Sequence, residues 1–112
     1  MIFVDTNYFL RFLLEGEDDQ HKKAVEFFKT ASLGKIQLFT SPVVIFEIYW
    51  VLSTFYQKKG EQAKNILSDI LKMNFIQIKE RKIIQTAVLW LDEFNYDLED
   101  SYNCVYEKKE HI

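Results

Sequence analysis

The sequence predicts an α/β fold built on a short parallel sheet, and three observations carry that prediction. Short apolar runs, Met1–Val4, Ile36–Thr40 and Phe75–Ile78, alternate with longer segments whose apolar residues recur at helical spacing. Each run gives way to turn-forming or helix-starting residues, as a strand that feeds a helix requires. Only three glycines and one proline interrupt 112 residues, which disfavours a loop-rich or disordered chain. Strands alternating with helices imply right-handed crossovers between parallel neighbours.

The elements follow in order. Met1-Ile2-Phe3-Val4 reads as a buried strand that ends at Asp5 and enters a turn at Thr6-Asn7. Tyr8–Leu14 is expected to be a short helix, with Phe9, Leu10, Leu13 and Leu14 at helical spacing. The acidic run from Glu15 to Asp19 supplies a turn and a helix start, where negative charge suits the helix dipole. A helix over His21–Ala31 follows, broken by Gly34, and Ile36–Thr40 forms the second strand. Ser41-Pro42 marks a helix start, with serine at the N-cap and proline at the first helical position. That helix is expected to run to Gln57 or Lys58, with Gly60 as its stop. Glu61–Met73 is the next helix, Phe75–Ile78 the third strand and Glu80–Phe94 another helix. Asn95-Tyr96-Asp97 forms a turn, and the chain is helical from Leu98 onward.

Composition bounds what such a domain can do. Apolar residues make up 48% of the chain and aromatic residues 16%, enough for a substantial core in one domain spanning residues 1–112. Cys104 is the lone cysteine, so neither a disulfide framework nor a thiolate metal site can be built. The N-terminus has no basic signal-like region and no apolar run reaches membrane-spanning length, so the expected location is the cytoplasm. A net charge of −3 argues against nucleic-acid binding over a broad basic surface. It leaves room for an enzyme whose divalent cations meet the phosphates.

Three acidic positions carry the candidate chemistry. Asp5 stands at a strand's carboxyl end, where ligands collect in open α/β sheets; the competing reading is an Asx turn or helix N-cap. Glu47 is the only fully charged residue between Lys35 and Lys58, flanked by Val43-Val44-Ile45-Phe46 and Ile48-Tyr49-Trp50-Val51-Leu52. A helix apolar almost all round is expected to be buried, and an isolated carboxylate there needs a cation or donors. The third position is Asp97-Leu98-Glu99-Asp100-Ser101, which opens the last helix and doubles as an ordinary capping sequence. Asp100 lies one turn inside that helix if Asp97 is its N-cap. Oxygen-only donors of this kind suit Mg²⁺ or Mn²⁺. His21 and His111 fall at a polar helix start and at the chain end, where they read as surface residues and not as ligands.

These motifs resemble the PIN domain, the fold of metal-dependent ribonucleases that includes the VapC toxins. Val4-Asp5-Thr6-Asn7 is similar to the family's first acid and the polar residues after it. Thr40 to Leu52 is similar to its second acid on a long helix, and Asn95 to Ser101 to its third-acid motif. The resemblance implies a PIN-like three-layer α/β/α arrangement and hydrolysis of RNA phosphodiester bonds. It implies Asp5, Glu47 and Asp100 as catalytic metal ligands for Mg²⁺ or Mn²⁺, with Thr6, Asn7 and Asp97 in support. For a toxin it further implies a homodimer and a cognate antitoxin. Arg11, Lys58 and Lys59 are the candidate phosphate contacts. The family pattern continues with a further strand, a fourth acid in a Thr-x-Asp-type turn and a final strand. None of these precedes Ile112, so the C-terminal strands and the fourth acid are expected to be missing and the first strand's edge to be open. The helix from Tyr102 to Tyr106 also carries larger residues than the pattern's small face. Those departures motivate an alternative, a catalytically weak PIN-like module acting through protein association.

Overall fold

A computed structural model describes residues 1–14, 19–54, 61–94 and 98–110. Three parallel strands in the order β1-β2-β3 form the sheet: β1 (Ile2–Phe3), β2 (Leu38–Thr40) and β3 (Ile76–Ile78). Among the described residues six helices accompany them: α1 (Thr6–Leu13), α2 (Asp19–Ser32), α3 (Pro42–Thr54), α4 (Glu61–Leu71), α5 (Arg81–Phe94) and α6 (Leu98–Glu110). Every expected strand and helix is present among the described residues, with described ends shifted by at most two residues. The α/β class and the parallel sheet are as the sequence predicts. The expected end of α3 near Gln57 and its stop at Gly60 lie outside the described residues, as do Lys58, Lys59, Asp97 and His111.

The strands register Ile2 with Leu38 and Ile76, and Phe3 with Phe39 and Gln77. Side chains alternate between faces. Val4, Leu38, Thr40, Ile76 and Ile78 are accordingly buried, whereas Gln77 is exposed and Phe39 half-buried. The expectation that β1 is a buried strand fails. Ile2 and Phe3 are 45% and 47% exposed, and only Val4, just past the strand, is enclosed. β1 is an edge strand, paired among the described residues with β2 alone, but so is β3, whose Ile76 and Ile78 are buried; what Ile2 and Phe3 lack is cover over their faces. Phe3 finds partial cover in an edge-on contact with Phe39, at 5.3 Å between centroids.

Parallel strands deliver their helices to one end of the sheet, so α1, α3 and α5 all start at its carboxyl edge. α1 packs on α2 and α3, α3 also on α4 and α6, and α5 on α4 and α6. The shared core gathers Val4, Phe9, Phe28, Leu38, Ile45, Ile48, Leu52, Leu67, Ile70, Ile76, Ile84 and Leu98. Gly34 ends α2 as expected: at φ +80° it lets its own N–H reach the Ala31 carbonyl and that of Lys35 reach Thr30, a left-handed C-terminal stop. On the way into β3, the Arg81 guanidinium donates to the carbonyls of Leu71, Met73 and Ile76. One cation thereby satisfies the end of α4 and the entry to β3.

Candidate functional site

The carboxyl edge of β1 builds the site. Asp5 is the N-cap of α1: its Oδ1 accepts the Tyr8 backbone N–H at 3.0 Å, with the Asp5 backbone extended. The capping reading of Asp5 is therefore realised, and it is compatible with a second role. The cap engages Oδ1, and a carboxylate has a further oxygen and further lone pairs. Asp5 and Asn7 are exposed and Thr6 is half-buried, so the turn presents its polar groups to solvent.

Glu47 comes to the same place from a distant part of the chain. The Thr6 hydroxyl donates to Glu47 Oε2 at 2.5 Å across 41 residues of sequence. The second acid thus lies one residue from the first, beside the mouth of α1. Glu47 is exposed, and this corrects the expectation of a buried carboxylate in an all-apolar helix. α3 buries Val44, Ile45, Ile48 and Leu52 against its neighbours and turns Val43, Glu47, Trp50 and Thr54 outward. Those four positions form one stripe at helical spacing. The apolar residues on that stripe made the helix read as enclosed, with Val43 59% and Trp50 58% exposed. What distinguishes Glu47 is its hydroxyl partner and not desolvation.

A buried hydroxyl fixes the strand that carries Asp5. Thr40, only 4% exposed, donates to the Val4 carbonyl at 2.8 Å, next to the ladder bond from Val4 N–H to the Phe39 carbonyl at 2.9 Å. Sequence reasoning missed Thr40, although its place directly before Ser41-Pro42, at a strand end, was the available signal.

Asp100 lies in the first turn of α6 and is exposed. Its helix packs on α3 through an edge-on contact of Tyr102 with Phe46, the residue before Glu47, at 5.2 Å. Tyr102 also donates its hydroxyl to Glu80 Oε2 at 2.5 Å. Burial, then the hydrogen bond and negative charge of Glu80, hold the Tyr102 phenol protonated well past its ordinary range. Glu80 itself adopts φ +59°, a left-handed backbone uncommon outside glycine, and its carbonyl accepts the Ile84 N–H that opens α5. The larger residues of α6 therefore form a clasp joining the starts of α5 and α6 to α3. Among the described residues, no three His, Cys, Asp or Glu side chains group closely enough to hold a metal ion.

Arg11 is exposed, in the last turn of α1, with its guanidinium 5.7 Å from the Tyr8 ring centroid. His21 is half-buried: its Nδ1 lies 2.8 Å from the Arg11 carbonyl and joins α1 to α2. As donors, Asp5, Thr6 and Glu47 are all oxygen. A pair of exposed carboxylates with an adjacent hydroxyl fits one hard cation that keeps most of its waters.

Comparison with known proteins follows the same lines. The family model of the PIN domain matches residues 2–103. No curated protein sequence matches the chain. Among solved structures, the fold is similar to the crystal structure of Mycobacterium tuberculosis VapC20, described as a sarcin-ricin loop cleaving toxin. The superposition has a TM-score of 0.50 at 21% identity and covers 100% of this chain and 85% of that one.

Proposed function

This chain belongs to the PIN domain family, and from that premise we propose that it is a divalent-metal-dependent endoribonuclease, the toxin of a toxin–antitoxin pair. One observation carries the reading: the Thr6–Glu47 hydrogen bond, which sets the second acid beside the first at the sheet's carboxyl edge. The likeness in fold to a structure described as a sarcin-ricin loop cleaving toxin is in keeping with this reading.

In this reading Asp5 and Glu47 hold the cation, Mg²⁺ or Mn²⁺, and Asp100 is the third acid. When bound, such an ion lowers the pKa of a water and neutralises charge on a phosphodiester. The remaining work falls to the chain. The cap on Tyr8 N–H fixes the Asp5 carboxylate, and the Thr6 hydroxyl orients that of Glu47. Asn7, exposed in the next position, positions water or phosphate by its amide, and Arg11 attracts the RNA backbone. Asp97, three residues before Asp100 in the sequence, supports it, and Lys58 and Lys59 add phosphate contacts. A homodimer in the cytoplasm, inhibited by an antitoxin protein, completes the proposal. No described helix is long and apolar enough to cross a membrane.

The decisive assay is cleavage of single-stranded and hairpin RNA by the purified chain. Activity removed by EDTA, restored by Mn²⁺ or Mg²⁺, and abolished by Asp5→Asn and Glu47→Gln is expected. Cleavage that survives Asp5→Asn would sink the assignment. A second reading, a catalytically weak PIN-like module acting by association, is favoured by the ungrouped third acid and the exposed β1 edge. Calorimetry separates the two, since that module binds no Mn²⁺ and forms a stable oligomer.

A further inference from the structure

Tyr8 of α1, the adjoining face of α2 and Ile36 line an open surface cleft of about 480 Å³, within the roughly 300–1,000 Å³ of small-ligand sites. Its floor is apolar, made by the half-buried Tyr8, Phe27 and Ile36. Tyr8 and Phe27 rings meet at 4.7 Å and 51°, leaving a tilted aromatic wall. Lys22 and Lys23, both exposed, stand on the rim with Glu26. Among the described residues, Arg11, over the Tyr8 ring, and Asp19, in the first turn of α2, add further charges to these two helices.

We infer that this cleft is a nucleotide subsite, which takes one unpaired nucleotide of an RNA strand flanking the phosphate at Asp5 and Glu47. The inference rests on the ribonuclease reading above and gives it a recognition element. Three features of the cleft favour this occupant. An aromatic wall over an apolar floor suits the face of a base, and base–aromatic stacking needs no particular sequence. Arg11, Lys22 and Lys23 supply three cations at and beside the cleft, against the carboxylates of Glu26 and Asp19, in a chain whose net charge is −3, and these cations are what a strand's phosphates would meet. Tyr8 lends the cleft its ring while its backbone N–H holds Asp5 at 3.0 Å, which puts wall and acid on one helical turn. A base on Tyr8 therefore draws the adjoining phosphates along the mouth of α1, between the lysines and the acids.

Glu26 gives the proposal a sign that a generic surface would lack. A carboxylate on the rim repels the phosphate the lysines attract, so Glu26→Gln is expected to tighten RNA binding, whereas Lys22→Ala/Lys23→Ala weakens it.

The test is fluorescence anisotropy of the full chain with a labelled single-stranded RNA in EDTA, titrated at several salt concentrations, alongside Mn²⁺ cleavage kinetics. Loss of two phosphate contacts should flatten the slope of log K against log salt by about 1.4, at roughly 0.7 per contact on single strands. In cleavage, the double lysine variant should raise KM with little change in kcat. Tyr8→Phe should bind as the parent does and Tyr8→Leu more weakly; because Tyr8→Leu alters packing, the lysine and Glu26 variants decide the matter. An unchanged slope and KM in the lysine variant overturns the subsite while cleavage keeps the nuclease reading. Lysine-dependent binding without any cleavage in Mn²⁺ overturns the nuclease reading and keeps the subsite. Absence of RNA binding, with lysine-dependent binding of a polyglutamate peptide instead, refutes the nucleotide as occupant.

Discussion

Thr40→Val removes one hydroxyl and keeps the shape of the side chain, so it isolates what that hydroxyl does for the strand bearing Asp5. Thr40 is 4% exposed and Val4 1%, and the bond between hydroxyl and carbonyl is 2.8 Å long. The variant leaves the Val4 carbonyl without this donor in a dry setting, which costs about 1–3 kcal/mol. At about 4 °C per kcal/mol for a domain of this size, the melting temperature should fall by about 4–12 °C. In urea, with a slope of about 1.5 kcal/mol/M, the midpoint should fall by about 0.7–2 M without a change in slope. Thr40→Ser is the control: it keeps the donor and loses one methyl group, worth about 0.8 kcal/mol. The reasoning is refuted if the valine variant unfolds at or above the parent midpoint while the serine variant falls below it. That result would mean packing alone holds β1 to β2.

Other perturbations separate structural from chemical roles. Asp5→Asn preserves the N-cap and should leave thermal stability nearly unchanged while abolishing cleavage, whereas Asp5→Ala should lose activity and about 0.5–2 kcal/mol as well, read by melting curves. Arg81→Met strips three carbonyls of a shared cationic donor and should destabilise the fold by about 2–4 kcal/mol in urea titration. The Tyr102 phenol has a raised pKa in the folded protein, so its contribution is complete below the ordinary tyrosine value of 10.0 and is lost as pH rises beyond it. Ultraviolet titration should therefore show one tyrosine ionising later than the rest, and Tyr102→Phe should remove that late step.

How much of this was legible in the sequence depends on the range of the interaction. Ser41-Pro42 marked the start of α3 and Gly34 the end of α2 because caps are local chemistry, written within one turn. The helical spacing of Phe9, Leu10, Leu13 and Leu14 placed α1 for the same reason. Exposure was less legible. Whether Ile2 and Phe3 are covered depends on which elements pack over the faces of β1, and whether Glu47 is dry depends on which face of α3 its neighbours leave open. The acids Asp5 and Glu47 could be singled out as odd charges after apolar runs, yet nothing local joins Thr6 to a residue 41 positions away. Arg81 and Tyr102 escaped attention because their partners are carbonyls and a carboxylate from other elements.

The two-residue length of β1 gives the acids a precarious anchorage. Asp5 hangs from a strand whose Ile2 and Val4 N–H groups bond to the carbonyls of Gln37 and Phe39, at 2.8 and 2.9 Å, and whose side chains are largely open to water. Segments with few buried contacts open locally at lower free energy than the core. Peeling β1 away from β2 separates Thr6 from Glu47 while α3, α4 and α5 keep their packing. Under mild denaturant the acid pair should thus come apart before the helical signal changes. Cooperative folding and site assembly are two events in this chain, and the second is the more fragile.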